Sequence, residues 1–109
     1  MAIYTRSLTG SFYDTLEKIH SGILNSSISA SFEDGSECEK DGVHCAVRVY
    51  ERYSAFGGNR LSMSVTLFGK DGDLFLTAIT SGGSQAMFFK VNTFGEDAFL
   101  NKLIELFEE

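Results

Sequence analysis

The sequence predicts an α+β domain, an antiparallel sheet of five or six strands with two helices on one face. Three observations carry that reading. Apolar and polar residues alternate with period two through the middle of the chain, the pattern of strands that bury one face. Apolar residues three and four apart follow a capping signature near each end, the pattern of amphipathic helices. At 109 residues there is room for one domain, spanning residues 1–109, and no second.

Residues 3–8 open the chain with the β-favouring Ile3, Tyr4 and Thr5, and Gly10 ends the stretch. Ser11 and Asp14 then stand as N-cap and third helical residue of a capping box. Phe12, Leu16, Ile19 and Ile23 follow as one stripe, widened by Tyr13, His20 and Leu24. Residues 27–33 alternate Ile28, Ala30 and Phe32 against three serines, which predicts a half-buried strand. Residues 33–42 hold five acids against Lys40 and read as a solvated loop.

Residues 43–53 form the longest strand candidate. Val43, Cys45, Val47 and Val49 share the side expected to face the helices, leaving His44, Ala46, Arg48, Tyr50 and Arg52 on the other. A hairpin at residues 56–59 leads to residues 60–68, with Leu61, Met63, Val65 and Leu67 inward and Arg60, Ser62, Ser64 and Thr66 outward. Residues 69–73 make another turn. The nearly continuous apolar run of residues 74–80 suggests a strand covered on much of both faces. Residues 81–84 break it, residues 85–91 return as a last strand, and Thr93 with Glu96 caps a final helix carrying Phe99, Leu103 and Phe107. This order matches the repeat unit of the TATA-binding-protein fold, with a small helix-grip sheet as the alternative; both are analogies of topology that assign no function.

Composition narrows the function classes. A net charge of −6 opposes general binding to nucleic acid and to anionic membranes, so neither is an expected partner. Met1 leads into Ala-Ile-Tyr-Thr-Arg without a basic stretch and long apolar run, which points to a cytoplasmic chain. Cys38 and Cys45 then read as thiols, although their pairing in a disulfide stays open. His20 and His44 form no ligand-spaced pair, the acidic stretch lacks the oxygen spacing of an EF-hand, and no cofactor or metal is expected.

The candidate site lies on the sheet face opposite the helices. Arg48, Arg52 and Arg60 share the side opposite the inward valines and leucines, close to Tyr50 and the hydroxyls of Ser62, Ser64 and Thr66. Guanidinium groups among hydroxyls and aromatics suit carboxylate or phosphate recognition. The same pattern also describes a solvated strand face with local ion pairs, or a surface for a second copy of the chain. A second candidate is the stretch from Thr80 to Gln85, where Gly82 and Gly83 between Ser81 and Ser84 could cradle an anion. It matches neither the P-loop nor the hydrolase elbow, and a tight turn describes it equally. His44 and Cys45 are adjacent in a strand and point to opposite faces, so they make no nucleophile–base pair.

Several strings carry a resemblance over nearly the whole chain. Ala46-Val47-Arg48-Val49-Tyr50-Glu51-Arg52-Tyr53, Phe56-Gly57-Gly58-Asn59-Arg60 and Ile79-Thr80-Ser81-Gly82-Gly83-Ser84-Gln85-Ala86, with Phe88-Phe89-Lys90, resemble a family of small bacterial proteins catalogued only as a domain of unknown function. The resemblance implies no activity, ligand or catalytic residue. The leading reading is a non-enzymatic binding or interaction module using the open sheet face through Arg48, Tyr50, Arg52, Arg60, Ser81 and Ser84. Its expected partners are a second copy of the chain, or an acidic small molecule or protein. A small enzyme or anion-binding protein centred on the Ser81–Gln85 loop is the alternative.

Overall fold

The computed structural model describes residues 2–53, 60–82 and 89–108, with the side chains of the last segment described from residue 96 onward. The elements run β1 (Ala2–Leu8), α1 (Phe12–Leu24), β2 (Ser31–Lys40), β3 (Val43–Tyr53), β4 (Arg60–Lys70), β5 (Asp73–Gly82) and α2 (Phe89–Ile104). The strands form one sheet in the order β1-β5-β4-β3-β2, and every neighbouring pair is antiparallel. No helix among the described residues is long and apolar enough to cross a membrane.

Two-residue turns set the registers of the β2–β3 and β4–β5 hairpins. Lys40 pairs with Val43 across Asp41 and Gly42, which both take positive φ (54° and 81°), as a hairpin turn of matching twist requires. Lys70 pairs with Asp73 across Asp71 and Gly72, and this turn is tied to α1. The Asp71 carboxylate accepts the Phe12 N–H at 2.8 Å, and Gly10 O accepts from Gly72 N–H at 2.7 Å. One orphan donor of the helix start is thereby satisfied by the sheet, while Ser11 Oγ accepts from Asp14 N–H.

Both helices pack on one face. Phe12, Leu16, Ile19 and Ile23 of α1 and Phe99, Leu100 and Leu103 of α2 close over Ala46, Tyr50, Leu61, Met63, Val65, Leu67, Leu74, Leu76 and Ala78. Each large side chain sealed there contributes roughly 1.5–3 kcal/mol relative to exposure. Thr80 Oγ1 joins this interior by donating to Glu96 O at 3.3 Å.

The structure corrects five expectations. Residues 33–40 belong to β2, and only Asp41 and Gly42 of the expected loop are a turn, because an edge strand exposed along almost its whole length tolerates charge that a central strand would not. Of the strand expected over residues 27–33 only residues 31–33 are strand: β2 begins at Ser31, and Ile28 is fully exposed in the turn after α1. Phe89 to Val91 start α2 instead of ending a strand, so Thr93 lies inside the helix and does not cap it. β5 is sealed on one face only, with Phe75 and Thr77 half-buried and Ile79 exposed on the other. The sides of β3 are reversed. Directly opposed residues in a ladder share a face, and Ala46 opposes Leu67, Arg48 opposes Val65, Tyr50 opposes Met63 and Arg52 opposes Leu61. Since that β4 set lies beneath the helices, so do Ala46, Arg48, Tyr50 and Arg52. The expected turn at residues 56–59 and residues 83–88 lie outside the described residues.

Candidate functional site: the open face of the sheet

The face away from the helices is built from the opposite parity of every strand. Thr5, Thr77, Thr66, Val47 and Ser36 lie in one row across the sheet, and Ile3, Ile79, Ser64, Val49 and Asp34 in the next. A third row runs Ser7, Phe75, Phe68, Cys45 and Cys38. Neither helix reaches this surface, and its large apolar side chains stay in solvent: Ile3 is 65% exposed, Phe68 41%, Ile79 40%, Val43 38% and Val47 36%. Phe68 and Phe75 are directly opposed, with ring centroids 5.6 Å apart, and with Val43 they line a shallow cavity of about 430 Å³ at the hairpin end.

Charge is confined to the margins of this face. Asp34 and Lys40 sit on the edge strand, and Lys70 and Asp73 at the β4–β5 turn. At the far end Arg60 Nε donates to Glu51 at 2.8 Å and Arg60 Nη2 to Ser31 Oγ at 3.3 Å, with Glu33 at 4.0 Å. Arg60 is the one arginine of four that the sheet places here, and its fork is already engaged by acids of the same chain. Ser81 opposes Ser62 on this face, and Ser84 lies outside the described residues. Cys38 and Cys45 are directly opposed, and burial, with the neighbouring Cys38, pushes the Cys45 thiol up.

Arg48, Tyr50 and Arg52 therefore do not line the open face. Tyr50 is fully buried, and its hydroxyl meets His20 Nδ1 of α1 at 2.9 Å. Burial pushes its phenol up, an effect the adjacent Arg48 guanidinium partly offsets. Arg48 Nη2 donates to Glu37 of β2 at 2.9 Å, and its guanidinium lies 5.7 Å from the centroid of Phe32. Burial alone would lower Arg48, but Glu37 and Tyr50 outweigh it and leave it raised. Gly35 makes room for this arrangement, since a Cβ there would meet Arg48 Cγ at 3.1 Å and Val47 O at 2.8 Å. Arg52 lies under α2 with its guanidinium 5.3 Å from the Phe99 ring centroid, and burial pushes it down.

His20, Phe32 and Glu37 are the partners that the sequence reading missed. His20 was visible only as an extra member of the α1 stripe, and Glu37 only as one acid among five. The resulting chain of contacts fastens α1 and β2 to β3, and the guanidinium of Arg48 is engaged within it by Glu37 and Phe32. Among the described residues, no three His, Cys, Asp or Glu side chains gather as a metal site would require.

The chain belongs to a family of unknown function, DUF6054, whose model matches residues 1–109. No curated protein matches it.

Proposed function

We propose that this chain, whose family carries no assigned activity, is a non-enzymatic, one-domain interaction module that pairs with a second copy of itself through the open sheet face. The observation that carries the reading is the set of rows across five strands, charged only at Asp34 on the edge strand, rich in β-branched residues and uncovered by either helix among the described residues. Ile3, Val43, Val47, Phe68 and Ile79 are all well exposed on this one face, and large apolar side chains gathered in water on one surface mark an interaction site.

Size and symmetry support a second copy as the occupant. Five strands spaced about 4.8 Å apart and seven to eleven residues long make a face about 24 Å wide and 24–35 Å long. That is roughly 600–800 Å² in projection, close to the approximately 800 Å² per partner of a standard interface. A two-fold pairing would set threonine and valine rows against the same rows of the partner and leave Asp34, Lys40 and Arg60 at the rim. The setting we propose is a reducing cytoplasm, in which Cys38 and Cys45 stay as thiols inside that contact. The likeness to the TATA-binding-protein repeat remains one of architecture and lends this face no ligand.

Light scattering coupled to gel filtration tests the proposal. At about 100 μM, well above the micromolar dissociation constant expected of such an interface, the protein should elute with twice the chain mass. Val47→Asp places a charge near the middle of the face and should return the protein to a monomer, at a cost to the monomer fold of no more than about 1 kcal/mol. A monomeric wild type at that concentration, or a dimer indifferent to Val47→Asp, overturns it.

A further inference from the structure

On the helix side, a separate cleft of about 370 Å³ opens where the end of β1, the first turns of α1 and the segment after α2 converge. That volume falls in the roughly 300–1,000 Å³ range of small-molecule sites. Arg6, Thr9, Thr15, Lys18 and Phe107 line it. Thr15 and Lys18 stand one turn apart on α1, so both project from the same side of the helix. Lys18 Nζ lies 4.9 Å from the centroid of the Phe107 ring. Two of the nine basic residues of a chain with net charge −6 thus meet at one concavity, beside two threonines.

The state of Arg6 indicates what the cleft holds. Arg6 Nη1 pairs with Glu108 Oε1, and the Tyr4 hydroxyl donates to the same oxygen at 2.9 Å. Arg6 Nε is shielded from water and has no hydrogen-bond partner among the described residues. A guanidinium presents its donors as a fork made for two oxygens of one anion, and a buried donor left unmatched is costly. Glu108 therefore holds the Nη1 side of Arg6, the side that an anion in the cleft would take from it.

We propose that this cleft binds a small phosphorylated molecule, whose phosphoryl oxygens engage Arg6 and Lys18 with help from the threonine hydroxyls, and that the Glu108 carboxylate is an internal competitor displaced from Arg6 on binding. Two cations at one cleft favour a dianion over a carboxylate, for which Arg6 alone would suffice. The cleft is larger than a phosphate, and the Phe107 ring offers an apolar wall for the organic part of the ligand. This site does not depend on the pairing of open faces, and it stands or falls separately.

Amide chemical shifts followed by NMR at constant ionic strength provide the test, with inorganic phosphate, glycerol phosphate and acetate as probes and chloride as the balancing salt. Phosphate should shift the amides of Arg6, Thr9, Thr15 and Lys18 saturably at millimolar concentrations. Glu108→Gln should tighten binding about threefold or more by removing the competitor. Lys18→Gln, at an exposed position, should weaken it about tenfold with an unchanged melting temperature. Tighter binding of glycerol phosphate identifies an organic phosphate as the ligand, and equal binding identifies free phosphate. No saturable shift up to about 50 mM phosphate, acetate binding as tightly as phosphate, or binding indifferent to Lys18→Gln would overturn the assignment.

Discussion

Leu67 and Phe68 are neighbours in β4, yet the first has no solvent exposure while the second keeps 41%. Ala78 and Ile79 repeat the contrast in β5, and Tyr50 beside Val49 does so in β3. The two faces of one sheet therefore hold apolar side chains in different solvents. Beneath the helices the central apolar side chains are sealed, and the Tyr50 hydroxyl is partnered by His20. On the open side the same kinds of side chain remain wet, with charge held at the margins. Hydropathy alone does not tell which apolar side chains of the sheet are sealed, because both faces carry them. Coverage distinguishes them.

Paired truncations break the comparison most sharply. Phe12→Ala or Leu67→Ala should cost about 3–5 kcal/mol in urea unfolding, through lost transfer energy and the cavity left behind. Phe68→Ala or Ile79→Ala should cost the monomer less than about 1 kcal/mol at concentrations too low for association. Equal losses on the two faces would mean that the open face is covered in the monomer as well.

A smaller change sharpens the account of the covered side. Tyr50→Phe removes the hydroxyl and leaves His20 Nδ1 without that partner, so stability should fall by about 1 kcal/mol. Arg48→Ala should act in the same direction by freeing Glu37 and uncovering Phe32. If Tyr50→Phe is neutral, the contact between α1 and β3 rests on packing alone.

The smallest expected effect lies at the rim of the covered side. The Arg6 guanidinium and then the Tyr4 hydroxyl hold the Glu108 carboxyl below its ordinary value. A carboxyl lower in the folded chain than in the unfolded one adds stability above its unfolded pKa of about 4.3 and loses it as pH falls through the folded value. Melting temperature followed downward from neutral pH should therefore fall less steeply in Glu108→Gln than in wild type. Parallel curves would show that the pair contributes nothing in solution, a common outcome for exposed ion pairs.

Different elements were legible for different reasons. The α1 stripe and its Ser11 cap could be read directly, because four apolar residues at helical spacing have one consistent burial. The alternation of β4 was equally plain, since serine and threonine oppose leucine, methionine and valine without ambiguity. β3 misled because both of its sides are plausible interiors: three valines on one, alanine and tyrosine on the other. Two arginines on the second side made it look solvent-facing, yet the guanidinium groups of Arg48 and Arg52 lie against Phe32 and Phe99. The strand in the acidic stretch was hidden by its charge, although Asp41-Gly42 is a strong hairpin signal. Of the candidate site residues, Arg60 and Ser81 do reach the open face, whereas Arg48, Tyr50 and Arg52 are claimed by the helix side.

Local pattern was sufficient wherever a residue's surroundings follow from its near neighbours in the chain. That covers α1, the alternation of β4, the turn at Asp71-Gly72 and the mixture of helix and antiparallel strand. Pairing between distant segments decided the rest. Shifting a strand by one residue exchanges its faces, so the side of β3 that is buried depends on its register against β4 and not on its own composition. Arg6 and Lys18 at one cleft, with Glu108 paired to Arg6, likewise join β1, α1 and the segment after α2, which no periodicity links and only the folded chain brings together.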